Sequence, residues 1–290
     1  MHTDTFLNHH KNLRTGKGVV LENAKVAEQT WIVAIDAPEL AAVAEPGQFV
    51  MLRLPETISP LLGRPFAIYS ANRETGEIQI GYLTVGRMTN RLTRVAPGES
   101  LEWWGPLGKG WKPIEGKETD SNGTLPFKHL VMTAGGIGYT PFHMLAEEYA
   151  QRKNPPKLTL LYGARNKSRL ANFDSFKKLG VDTRIATDDG SAGHKGFVSD
   201  LIPDILANSG FGSKETMIVA CGPKPMLASV FKEAERLGKI PCYVSLETPM
   251  SCGLGLCFGC VVEYLDDKGG KDYRRTCVDG PAFDAYRLVW

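Results

Sequence analysis

The chain has 290 residues, 42% of them hydrophobic and 23% charged, a length and composition that suit two globular domains with a small appendage. Its 34 basic and 32 acidic side chains leave a formal net charge of +2 without a basic run, which gives nucleic-acid binding no support. No apolar stretch approaches the roughly 18 residues needed to cross a bilayer as a helix, which argues against a membrane protein.

Residues 1–16 carry His2, His9, His10, Lys11 and Arg14 but no apolar signal core, and are expected to form an unstructured N-terminal extension. Residues 17–114 are a succession of short β runs. Thr30–Ile35, Gln48–Leu54, Phe66–Tyr69 and Glu77–Leu83 read as strands, separated by turn signals such as Pro46-Gly47 and Pro97-Gly98. Regular short strands with little helix predict an antiparallel β-barrel, and only Met88–Val95 looks helical there. Residues 115–126 are polar and turn-rich, as in a linker.

From Phe127 the rhythm changes to strand–helix alternation, which predicts a doubly wound parallel sheet over 127–245. His129–Thr133, Leu158–Tyr162, Thr183–Ala186, Met217–Ala220 and Tyr243–Leu246 read as its strands, with helices through Arg152 and toward Gly238. Two strand-to-helix turns are rich in glycine: Gly135-Gly136-Ile137-Gly138, followed by Thr140-Pro141, and Cys221-Gly222-Pro223. Glycine lets the backbone approach an anion, and a new helix offers free N–H groups. Each turn alone is also what a plain tight connection looks like. Together they would line the crevice where doubly wound sheets bind dinucleotides. Asp188 and Asp189, at another carboxyl strand end, suit ribose hydroxyls and repel a 2′-phosphate, favouring NADH over NADPH. Arg165, Lys167 and Arg169 follow the preceding strand and pull the other way. Surface charge is the plain alternative for both groups.

In the barrel half, Arg64-Pro65-Phe66-Ala67 offers a guanidinium fork suited to a pyrophosphate and an aromatic ring that can lie against a flavin. Gly86-Arg87-Met88-Thr89 opens the single expected helix with another anion-friendly end. A rim ion pair and a helix cap would look the same.

Residues 246–290 contain the sharpest pattern. Cys252, Cys257, Cys260 and Cys277 are spaced C-x4-C-x2-C-x16-C within 26 residues, with glycines between the first three. This is the plant-type arrangement for a [2Fe–2S] cluster. Zinc and two disulfides are the alternatives. Structural zinc usually takes two C-x2-4-C knuckles, and only Cys257 and Cys260 make one. Thiolates held for iron point to the cytoplasm. Cys221 could be a buried small side chain or sit beside a nicotinamide, and Cys242 reads as core. The six histidines form no ligand cluster, and no nucleophile–base pair is evident.

The succession of barrel, dinucleotide sheet and cysteine loop resembles the ferredoxin reductase-like flavoproteins. Among them it resembles the electron-transfer subunits of class 1B dihydroorotate dehydrogenase. The likeness runs from about Gly18 to the end, through Arg64-Pro-Phe66, Gly105-Pro-Leu-Gly108, Gly135–Gly138, Asp188–Ser191, Lys195-Gly-Phe197, Cys221-Gly-Pro223 and the four-cysteine loop ending Cys277–Pro281. It implies FAD in the barrel, NADH on the sheet and a [2Fe–2S] cluster that passes electrons to an FMN-containing dihydroorotate dehydrogenase subunit. It further implies a heterotetramer of two copies each, working in pyrimidine biosynthesis. Arg64 would grip the FAD pyrophosphate, Phe66 would take the aromatic position, and Gly86 with Thr89 would hold the phosphates. Ala67 departs from the family's Ser or Thr near the flavin N5. A reductase subunit serving a hydrogenase, sulfur reductase or bifurcating transhydrogenase shares the fold. A non-catalytic metal-binding sensor module is the alternative of another class.

Overall fold

The computed structural model describes residues 11–55, 59–115 and 125–290. The first ten residues of the expected extension, and residues 116–124 of the 115–126 linker, lie outside them.

Six strands close an antiparallel barrel: β1 (Arg14–Ala27), β2 (Thr30–Asp36), β3 (Phe49–Arg53), β4 (Arg64–Ala71), β5 (Glu77–Leu83) and β6 (Ser100–Leu107), in the order β1-β2-β5-β4-β3-β6. β1 begins at Arg14, inside the segment read as a lead-in, because Arg14–Gly16 pair with Gly105–Trp103 of β6. Alternation fills the barrel: Val33, Ile35, Val50, Leu52, Ile68, Ile78 and Ile80 are buried in one cluster. The expected helix spans Arg87–Leu92, and a short one at Pro38–Ala41 was not expected.

The second unit is a seven-stranded sheet. Its strands are β7 (His129–Gly135), β8 (Lys157–Ala164), β9 (Asp182–Thr187), β10 (His194–Lys195), β11 (Thr216–Cys221), β12 (Cys242–Ser245) and β15 (Ala282–Asp284), in the order β10-β9-β8-β7-β11-β12-β15. Neighbours along β10 to β12 are parallel, as expected. The seventh strand is antiparallel and comes from beyond the cysteine loop, so the C-terminal segment is sewn into the sheet. Between them lies a hairpin, β13 (Val261–Leu265) with β14 (Lys271–Arg275). Both faces of the sheet are covered. Leu130 and Met132 of β7 pack with Phe142, Leu145 and Phe176, whereas Val131 packs with Ile202, Leu227 and Val230. After the first glycine turn the chain forms a 3₁₀ helix over Gly136–Phe142 before the α-helix His143–Ala150. Pro141 lacks the N–H that an α-helix would use there.

Barrel and sheet share one core. Trp111 stacks on Phe142 at 5.2 Å and donates from Nε1 to the Pro141 carbonyl at 2.9 Å. Tyr69 stacks on His143 at 4.3 Å and shares a 2.9 Å hydrogen bond with Ser175 Oγ. No described helix is long and apolar enough to cross a membrane.

Candidate cofactor sites

A cavity of about 400 Å³ opens where the barrel meets the sheet, and it is lined by Arg64, Pro65, Phe66, Ala67, Gly86 and Thr89. Residues read as one set from two separate sequence segments therefore face one space. A Cβ on Gly86 would meet nothing within 4 Å, so the turn leaves its backbone open to the cavity. The Thr89 hydroxyl is engaged locally: it accepts from the Gly86 and Val85 N–H groups, each at 3.1 Å, and thereby caps the helix. Arg64 donates Nη1 to the carbonyls of Leu62 and Gly63, both at 3.0 Å, which fixes the root of its fork. Cys221 lines the same cavity from the sheet. Burial, with Glu247 nearby, pushes its thiol far above the ordinary range, so it is a neutral S–H.

The two glycine turns touch each other, and this decides which glycines are needed. A Cβ on Gly138 would lie 2.1 Å from the Cys221 carbonyl oxygen. One on Gly135 would lie 2.5 Å from Met226 Sδ, and one on Gly222 would come within 3.0 Å of the Gly135 nitrogen. Gly136 differs: its φ is +55° and a Cβ would meet open space. Gly135, Gly136, Gly222 and Asp188 line a second cavity of about 860 Å³. Gly138 does not line it and serves the packing beneath. Asp189 is also turned away: its carboxylate accepts from Ser191 N at 2.9 Å and Ser191 Oγ at 2.6 Å, which holds it below the usual carboxylate range.

The cavities adjoin. Leu83, Val85, Ile137 and Glu247 line both, and burial raises the Glu247 carboxyl above its ordinary range. Glu247, Thr248, Met250 and Thr276, which complete the barrel cavity from the cysteine segment, went unread in the sequence. So did Glu28, Gln29 and Thr30, a barrel turn that walls the larger cavity. A carboxylate five residues before Cys252 was the one available signal.

The four loop cysteines form two pairs, Cys252 Sγ–Cys257 Sγ at 3.3 Å and Cys260 Sγ–Cys277 Sγ at 3.2 Å. All six cysteines are free thiols. Two thiolates on one tetrahedral metal, at about 2.3 Å each, stand about 3.8 Å apart, against ~2.05 Å in a disulfide. Two close sulfur pairs, neither of them a disulfide, thus make a donor set that fits two metal ions with two sulfurs each. No three His, Cys, Asp or Glu donors converge on a single point among the described residues. Cys260 and Cys277 are 2% and 1% exposed, whereas Cys257 is open to solvent. The two buried thiols share a proton, and the contact with Cys277 lowers the Cys260 thiol below its ordinary range. Gly253 and Gly255 hold φ of +73° and +74°. Trp104 Nε1 donates to the Cys252 carbonyl at 2.9 Å, fastening the loop to the barrel. Cys242 lies in the sheet core, away from the paired sulfurs.

Residues 17–111 match the oxidoreductase FAD-binding domain, 132–232 the oxidoreductase NAD-binding domain, and 247–289 the iron-sulfur cluster binding domain of dihydroorotate dehydrogenase B. The electron transfer subunit of dihydroorotate dehydrogenase B (NAD(+)) from Desulforamulus reducens is 35% identical, covering 93% of this chain and 97% of its own. That from Geobacillus kaustophilus is 34% identical over 91% and 94%. The chain belongs to this family of electron-transfer subunits. As a family member it is an oxidoreductase subunit that carries FAD, NAD(H) and an iron–sulfur cluster. Among solved structures it is similar to an NADH-dependent reduced ferredoxin-NADP oxidoreductase described for flavin-based electron bifurcation (TM-score 0.78, 27% identity, 94% of this chain and 90% of that one). A ferredoxin NADP+ reductase from Neisseria gonorrhoeae shares the fold (TM-score 0.63, 16% identity, 77% and 92%).

Proposed function

We propose that this subunit moves electrons between NADH and an FMN-containing dihydroorotate dehydrogenase subunit, in a cytoplasmic heterotetramer of pyrimidine biosynthesis. The observation that carries this reading is contiguity. The nucleotide cavity shares a wall with the barrel cavity, and the barrel cavity is closed by Met250 and Thr276, two residues before Cys252 and one before Cys277. The names of the relatives supply the dihydroorotate partner.

In this reading Arg64 takes the pyrophosphate of FAD, Phe66 lies by its ring system, and the open backbone at Gly86 faces its phosphates with Thr89 holding the turn. Gly135, Gly136 and Gly222 receive the dinucleotide, and Asp188 accepts from the ribose. Cys252, Cys257, Cys260 and Cys277 hold a [2Fe–2S] cluster. When bound, the flavin takes an electron pair and the iron centre passes single electrons. The chain's own residues position these groups: Cys221 presents an un-ionised thiol to the barrel cavity, and Ala67, without a side-chain donor, offers only its own backbone N–H. Around the loop, Leu256 and Phe258 are 63% and 50% exposed beside Cys257, an apolar rim suited to a partner subunit.

The likeness to the NADH-dependent ferredoxin-NADP oxidoreductase favours a second reading, a subunit of a bifurcating transhydrogenase. Reconstitution separates the two. Alone, the protein should reduce ferricyanide with NADH and leave orotate and dihydroorotate untouched. With an FMN-bearing dihydroorotate dehydrogenase subunit of the same organism it should confer NADH-linked orotate reduction, and Cys257→Ser should abolish that coupling. Orotate conversion by the isolated chain, or a complex equally active without iron, would overturn the proposal.

A further inference from the structure

The sequence sets two signals against each other at the nucleotide cavity: Asp188, which repels a 2′-phosphate, and the arginines after β8, which attract one. Both Arg165 and Arg169 line the cavity with Asp188. Arg165 has no side-chain partner among the described residues. Arg169 does, and the partner comes from the other domain. Glu28, in the turn between β1 and β2 of the barrel, accepts from Arg169 Nη2 at 3.1 Å and from Ser168 Oγ at 2.5 Å. Its own N–H donates to the Ser168 carbonyl at 2.8 Å, so backbone and side chain both fix it there. Ser168, and then Arg169, hold its carboxyl below the usual range, so it is ionised at neutral pH.

The arginine loop is in turn stitched to the aspartate loop. Lys167 N donates to Ser191 Oγ at 2.8 Å, and Ser191 is the residue that Asp189 holds. Asp189 N donates to the Arg165 carbonyl at 3.3 Å. Barrel turn, arginine loop and aspartate loop are thus one connected wall.

We propose that Glu28 is a nucleotide-specificity residue: by holding the Arg169 guanidinium it denies that fork to a 2′-phosphate, and the cavity selects the unphosphorylated ribose. The inference rests on reading this cavity as the dinucleotide site with Asp188 at the ribose. A guanidinium fork already satisfied by a carboxylate has less to offer a phosphate, and the bound Glu28 adds negative charge to the rim. Specificity here comes from masking a cation that is present, through a residue 141 positions away in the chain.

The test uses calorimetry on the full FAD- and cluster-loaded protein, with ADP-ribose and 2′-phospho-ADP-ribose, neither of which carries a nicotinamide to react. The wild type should prefer ADP-ribose. Glu28→Ala should shift the affinity ratio about tenfold toward the phosphorylated ligand, the scale of one charge-assisted hydrogen bond. The double variant Glu28→Ala with Arg169→Ala should lose that shift. Mere loosening of the domain contact would move both ligands together and leave the ratio unchanged, which would overturn the proposal. A shift surviving in the double variant would overturn it too. If Asp188→Ala weakens ADP-ribose while Glu28→Ala leaves the ratio fixed, the ribose site stands and the role of Glu28 falls. If Asp188→Ala leaves ADP-ribose affinity intact, both fall.

Discussion

The cysteine loop and the cavity proposed for the nucleotide use the chain in opposite ways. The loop draws four sulfurs from 26 residues and rests them against one edge of the barrel, where Cys260 and Cys277 pack with Phe49, Met51 and Leu107 and Trp104 donates to the Cys252 carbonyl. The cavity draws Glu28 from the barrel, Gly135, Asp188 and Gly222 from three strand ends, and Glu247 from the start of the last segment. A loop built locally should fail locally. A cavity built from contacts among distant segments should fail when any of its supports moves, including supports that never touch a ligand.

The largest expected effect is at the loop. Cys277→Ser removes one of the two buried thiols proposed as ligands, and iron and acid-labile sulfide should fall to near zero while FAD content holds. Cys242→Ser, in the sheet core, should leave iron intact; iron retained in the first or lost in the second would break the ligand assignment. Next comes Gly138→Ala. Its Cβ would lie 2.1 Å from the Cys221 carbonyl oxygen, and backbone cannot yield as a side chain can. A destabilisation of about 3 kcal/mol is expected by denaturant unfolding, with NADH affinity down at least about tenfold and iron content unchanged. An unaltered NADH affinity would show that the packed turns do not shape the cavity.

pH separates the regions further. His129 on β7 is buried, with Nε2 2.9 Å from Thr159 Oγ1, and burial lowers it to about 4. The unfolded ring titrates near 6.5, so the unfolded chain binds the proton first as pH falls. The stability of the neutral buried ring is therefore complete above about pH 6.5 and is lost on the way to pH 4, by about 3 kcal/mol. His129→Gln should flatten the melting-temperature profile between pH 6.5 and 4.5; an unchanged slope would place the acid sensitivity elsewhere. The smallest effect is expected at the loop's outer fastening. Trp104→Phe deletes one hydrogen bond, about 1 kcal/mol, and should speed iron release to a chelator about fivefold without lowering the iron initially bound. Equal release rates would mean that the loop holds its shape unaided.

These contrasts explain what could be read before any coordinates. The pattern of four cysteines was legible because spacing in a short loop is itself geometry: three cysteines within nine residues, separated by glycines, must wrap a loop around whatever they hold. Four of the six barrel strands and five of the seven sheet strands were legible as short β runs, whereas β1, β6, β10 and β15 went unread; the barrel set Arg64–Ala67 with Gly86 and Thr89 does face one cavity. Asp189 and Gly138 show the limit. Both sit in the right turns, yet one carboxylate is taken by Ser191 and one glycine is needed beneath the cavity. Local sequence says that a turn is present, not which way each residue in it points.

By itself the sequence determined the order of barrel, sheet and loop, the close spacing of the four loop cysteines and the positions of the two glycine turns, because each depends on residues close in the chain. Only the tertiary structure decided three things. The last segment returns to add β15 to the sheet. Glu247 stands where the two cavities share a wall. Arg169 is held by a carboxylate from the barrel. Each joins residues with no sequence relation, and only packing two units around a common core brings such partners within hydrogen-bonding reach.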